Sequence, residues 1–140
     1  MKKKHWMIIF IILAVSVIWN IYWNGTIVVH TYVHNSQNFP EAFKGFRMVQ
    51  LTDIHSVRNE AQGQLIYEKT ASQNPDIICI TGDLVDSKYY AVHGAEGENL
   101  TLKLIKQLVE LAPVYYVYGN HEMILLDDPQ RNTFRVALEN

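Results

Sequence analysis

Hydrophobic and polar positions change rhythm along this chain. From Trp6 to Trp23 the residues read WMIIFIILAVSVIWNIYW, with only Ser16 and Asn20 polar. A run without a polar face predicts a helix in apolar surroundings rather than one lying on a wet surface. It is slightly shorter than the ~20 residues a membrane-spanning helix generally needs. Trp6 at one end and Trp19, Tyr22 and Trp23 at the other stand where amphipathic rings favour a bilayer interface. Next, Thr26–His34 alternates and is rich in β-branched residues, which predicts an edge strand. Asn35–Lys44 contains Asn, Ser, Pro and Gly and reads as a loop.

Beyond the loop, one form occurs three times: a short apolar run with polar and acidic residues at its C-terminal end. Phe46–Leu51 leads into Thr52-Asp53-Ile54-His55, and Ile77–Ile80 into Thr81-Gly82-Asp83-Leu84-Val85-Asp86. Val114–Val117 leads into Tyr118-Gly119-Asn120-His121-Glu122. Helical patterns separate the runs. Gln64–Lys69 is rich in helix formers ahead of Pro75, and Leu100, Leu104, Leu108 and Leu111 recur at helical spacing before Pro113. After the second run, Tyr89, Tyr90 and His93 fall in a loop that contains Gly and Ala. Strand–helix–strand–helix–strand is the α/β order, with crossover helices and largely parallel strands. Ligands of such sheets gather at the carboxyl ends of the strands, where all three polar clusters fall.

Charge divides the chain further. Lys2, Lys3 and Lys4 are the only charged residues in the first 40; without them, nine basic groups face all 14 acidic ones. Lysines before the apolar run place the N-terminus in the cytoplasm and the rest outside it, in a single-pass cell-membrane topology. A cleaved signal peptide is the competing reading, because Ala14-Val15-Ser16 has suitably small residues, although inside the apolar run rather than after it. The organisation predicted is therefore residues 1–23 as cytoplasmic lysines and membrane anchor, 24–44 as edge strand and linker, and 45–140 as the folded domain. At 49% hydrophobic over 140 residues the chain is neither disordered nor long enough for two ordinary domains. The lone Cys79 excludes a disulfide framework and cysteine-based zinc sites. A net charge of −2 does not point to nucleic acid, and oligomeric state is not legible.

Each cluster has its own chemistry. Asp53 and His55, one residue apart, can point the same way from a strand end. A hard oxygen beside a borderline nitrogen suits Fe, Mn, Zn, Ni or Co better than Ca or Mg. Taken alone, the pair also reads as a turn Asp and a surface His. Gly82 lets the backbone turn sharply, which leaves the Asp83 carboxylate at a strand tip, able to bridge two cations. Asp86 also reads as a helix N-cap. Asn120 offers a neutral carbonyl oxygen. His121, among acidic groups, is expected to stay protonated and face developing negative charge.

In this order the blocks LTDIH, ITGDLVD and VYGNHE resemble the first three signatures of the calcineurin-like metallophosphoesterases. Following the membrane anchor, they look most like the bacterial envelope-anchored members. The resemblance implies the N-terminal half of a calcineurin-like β-sandwich flanked by helices, an α/β fold. It implies two divalent transition-metal ions and hydrolysis of phosphomono- or phosphodiesters by a metal-activated hydroxide, with envelope lipid or nucleotide-lipid esters among the substrates. Asp53 and His55 then hold the first metal, Asp83 bridges, Asn120 binds the second, and His121 acts on the leaving group, oriented by Asp86. The family's later Gly-His-x-His block has no counterpart here, so the second-half histidine ligands are absent. The expectation is an anchored hydrolase domain; the alternative is an inactive anchored fragment with a partial metal site.

Overall fold

A computed structural model describes residues 2–24 and 26–126, with side chains described for 4–20 and 26–125. The chain divides into two units, Met1–Tyr32 and Val33–Asn140. The first is dominated by helix α1, Lys2–Asn24, whose apolar side chains from Trp6 to Trp19 are almost all exposed. Among the described residues no helix is long and apolar enough to cross a membrane. The predicted span runs on to Tyr22 and Trp23, whose side chains lie outside the described residues. The expected strand at Thr26–His34 does not form. β-Branched alternation becomes a strand only when a neighbour completes the ladder, and no strand pairs with this segment among the described residues.

The second unit opens with a 3-10 turn at Glu41–Phe43 and then builds a three-stranded parallel sheet in the order β1 (Met48–Leu51), β2 (Ile77–Thr81), β3 (Val114–Val117). Met48 pairs with Ile77 and Leu51 with Ile80; Ile78 pairs with Val114 and Thr81 with Val117. This register brings the three strands to an end at one edge. Helix α2 (Glu60–Ala71) crosses from β1 to β2, with Asn59 accepting the Gln62 N–H as its N-cap. Helices α3 (Ser87–Gly97) and α4 (Asn99–Leu111) cross from β2 to β3, and α5 (Asn120–Leu126) follows β3. α4 buries Thr101, Leu104 and Leu108, and α2 buries Gly63, Ile66 and Thr70, each at i, i+3, i+7 spacing. With Ile78 and Ile80 of β2 and Leu84 and Val85 of the following loop, they supply most of the core. Each such aliphatic side chain contributes roughly 1.5–3 kcal/mol on burial.

Two expectations change here. The segment after the second cluster is helix, not loop: Asp86 caps it by accepting from the Lys88 and Tyr89 N–H groups, and the helix is interrupted at Gly94, where φ is 63°. Only Ser87 and Tyr90 are buried along it, so it has little amphipathic pattern to read. The expected half-sandwich appears, among the described residues, as a single sheet. Its outward face carries exposed Met48, Tyr115 and Val117.

Candidate metal centre

Past their strand ends, the first two tips stay tied by main-chain bonds. Asp53 N–H donates to Gly82 O (3.2 Å), His55 N–H to Asp83 O (2.9 Å) and Ser56 N–H to Leu84 O (2.9 Å). Asp53, His55, Ser56 and Asp83 all have left-handed φ, between 51° and 68°. For residues with a Cβ that conformation costs about 1–2 kcal/mol each. Four together survive only where the surroundings over-determine them, which is typical of working sites. The second and third tips meet backbone to backbone. A Cβ on Gly82 would lie 2.7 Å from Gly119 Cα, and one on Gly119 would overlap Asp83. Both positions therefore require glycine.

Glu122, buried in the first turns of α5, holds this junction. Its carboxylate accepts the N–H groups of Asp83 (2.9 Å), Val85 (3.0 Å) and Gly119 (2.7 Å). Asp83 in turn accepts the His121 N–H on Oδ1 at 3.0 Å. The second and third tips thus exchange main-chain donors for side-chain acceptors in both directions.

On this frame His55, Asp83 and His121 each offer a ligand atom, all within 4.8 Å of one another. The His55 and His121 rings meet edge to face at 4.7 Å, and Asp53 Oδ1 lies 3.8 Å from His55 Nε2. Carboxylate and imidazole donors at this spacing fit a borderline divalent transition ion. His121, expected to act on the leaving group rather than as a ligand, stands beside His55 and Asp83 in this group. Asn120 is exposed, the first residue of α5, between Gly119 and His121.

His121 departs from expectation in a second respect. Its Nδ1 accepts the Ser87 N–H at 3.0 Å, with the Ser87 hydroxyl at 3.1 Å. A main-chain N–H only donates, so Nδ1 carries the lone pair, and the neutral ring's proton sits on Nε2. The cationic imidazole expected here does not suit this arrangement. Asp86 Oδ1 is 3.7 Å from Nδ1, outside hydrogen-bond range, so Ser87 sets the ring's orientation. Asp86 instead caps α3 and takes the Arg58 guanidinium at 2.8 Å. Partial burial alone would raise its carboxyl. The Tyr89 and Lys88 N–H groups, then the Arg58 guanidinium, outweigh that and hold it below the usual carboxylate range.

Glu122, Ser87 and Arg58 are further functional residues beside those expected from the three blocks. Glu122 had a visible signal, as the residue closing the third polar block. Ser87 and Arg58 had none, because their partners lie 34 and 28 residues away.

The depressed Asp86 group carries a signed expectation. The ordinary aspartate value is about 3.9. The ionised form therefore stabilises the fold at neutral pH, and that stability fades as pH falls through the lower folded-state value. Thermal melts from pH 2 to 7 are expected to show Asp86→Asn less stable than wild type at neutral pH, with a shallower loss toward acid. Parallel curves across the whole range would contradict the assignment.

A sequence profile of the family described as "Calcineurin-like phosphoesterase" matches residues 46–139. An uncharacterized metallophosphoesterase of Bacillus subtilis, YkoQ, is 29% identical over 99 residues, covering 71% of this chain and 35% of its own length. A zebrafish (Danio rerio) transmembrane protein with a metallophosphoesterase domain is 29% identical over 93 residues, covering 65% of this chain and 20% of its own. The chain thus spans about a third or less of the length of these relatives. No solved structure gives a significant match. With the profile covering most of the sequence and its three signature tips meeting at one sheet edge, the chain belongs to the calcineurin-like phosphoesterase family.

Proposed function

We propose that this chain carries the metal-binding tips of a hydrolase acting on phosphomono- or phosphodiesters. The observation that supports it best is the gathering of His55, Asp83 and His121 within 4.8 Å, beside Asp53, at the carboxyl edge of the sheet. In this reading Asp53 and His55 would hold one divalent transition ion (Mn, Fe, Zn, Ni or Co). Asp83 would serve it and a second ion, to which Asn120 would add a neutral oxygen. Two cations bound there would supply an acidified water and neutralise phosphoryl oxygens. The chain's own contribution is orientation. The Ser87 N–H keeps the His121 proton on Nε2, which suits hydrogen bonding to a phosphoryl or leaving-group oxygen. Asp86 anchors Arg58 and the start of α3 beside that ring.

The purified chain, loaded with Mn²⁺, is expected to hydrolyse a chromogenic phosphodiester or monoester. Asp83→Asn is expected to lower the rate about 100-fold or more, in the range seen when a directed electrostatic contact is removed. Turnover unchanged by that substitution would place the chemistry elsewhere. No turnover with any of the five metals would leave an inactive domain with a partial metal site.

The same proposal places the reaction at a membrane surface, with envelope lipid or nucleotide-lipid esters as the substrate class. Support comes from the lysines ahead of the apolar run Trp6–Trp23 and from the zebrafish relative's name as a transmembrane protein. A reporter fused after Asn140 is expected to be active outside the cytoplasm, and a cytoplasmic signal would contradict that orientation.

A further inference from the structure

Outside the tips, the charged side chain most completely enclosed among the described residues is Glu98, at 0% exposure, in the turn between α3 and α4. A buried carboxylate is tolerated only when its lone pairs are satisfied. Here two hydroxyls satisfy them: Ser56 Oγ at 2.6 Å on Oε1 and Thr101 Oγ1 at 2.7 Å on Oε2. Neither hydroxyl ends the chain of bonds. Ser56 Oγ accepts the Asp86 N–H at 2.9 Å, and Thr101 Oγ1 accepts the Val57 N–H at 2.9 Å.

Bond direction follows from the donors. Main-chain N–H groups can only give, so each hydroxyl uses a lone pair on the loop, and its proton is directed at Glu98. Both carboxylate oxygens accept, the arrangement that suits an ionised acid. Burial pushes the Glu98 carboxyl above its usual range, and the Ser56 and Thr101 hydroxyls offset only part of that shift. Glutamine is nearly isosteric but would turn an NH₂ toward one hydroxyl and leave that hydroxyl's proton without an acceptor.

The loops gripped this way are the two that carry the candidate ligands. Val57 and Ser56 directly follow His55, and Asp86 lies three residues after Asp83. Ser56 is itself buried and left-handed, at φ 68°. We infer that Glu98 is a positioning residue for the metal centre: its buried carboxylate, through Ser56 and Thr101, clamps the first and second strand-tip loops in the spacing that brings His55 to Asp83. This rests on the function proposed above and extends it to a residue outside all three signature blocks.

Mn²⁺ binding to the full chain, followed by loss of the free-ion EPR signal, tests it without any turnover. Wild type is expected to bind. Glu98→Gln is expected to weaken binding at least about tenfold, the scale on which partners behind the ligands act, while far-UV circular dichroism stays that of the folded chain. Thr101→Val, which removes one arm of the clamp, is expected to weaken binding by a smaller factor; it also decides the matter should Glu98→Gln fail to fold. A residue important only for stability would lower the melting temperature and leave the affinity of the folded protein unchanged. That result, in either folded variant, overturns the inference while leaving the proposed function intact. Should wild type take another of the five ions in place of Mn²⁺, the same comparison is read with that ion; a wild-type chain that binds none of the five overturns the proposed function, and the clamp with it.

Discussion

The site depends on one buried anion receiving main-chain protons from two different loops. Glu122 is buried, and three N–H groups take the place of the water that would hydrate its charge. Two come from the loop after β2 and one from the residue that ends the loop after β3. Each partner needs the others. Without the carboxylate, the N–H groups of Asp83, Val85 and Gly119 would be left without their acceptor beneath the sheet edge. Without those donors, a charge would be stranded in a region of low polarisability. The contact also explains how Asp83 is held in a left-handed conformation that a residue with a Cβ resists.

From that junction the rest of the centre follows by close approach. Gly82 and Gly119 let two backbones come together where any side chain would collide. Their contact puts Asp83 under the N-terminus of α5, where the His121 N–H meets it. His121 then reaches back across the tip to the start of α3, where Ser87 fixes its tautomer. The first loop joins by extending the parallel ladder through Asp53, His55 and Ser56. Strand tips, a helix start and a short helical turn thus bring together donors drawn from about 70 residues of sequence.

Much of this was legible because it is local. Three apolar runs ending in acidic residues gave the strands Met48–Leu51, Ile77–Thr81 and Val114–Val117 within two residues. Leucines spaced as on a helix marked α4, and Asp86 was readable as an N-cap. Other features depend on distant partners and leave no local trace. Ser87 gives no hint of its bond to His121, nor Glu98 of a pair of hydroxyls 42 residues away and three residues ahead. Helix α3 was hidden by its two glycines and its weak apolar face. The alternation at Thr26–His34 misled for the opposite reason: the pattern suits a strand, but among the described residues no neighbouring strand pairs with it. The apolar run from Trp6 was legible as a helix, whereas its relation to a membrane lies in surroundings the chain does not encode by itself.

Anomalous diffraction from crystals soaked in Mn²⁺, recorded near the manganese edge, tests most directly whether these tips form a metal centre. The account predicts difference density at the sheet's carboxyl edge, within coordination distance of His55 and Asp83. Density at some other acidic surface, or none on the tips at saturating Mn²⁺, would contradict it.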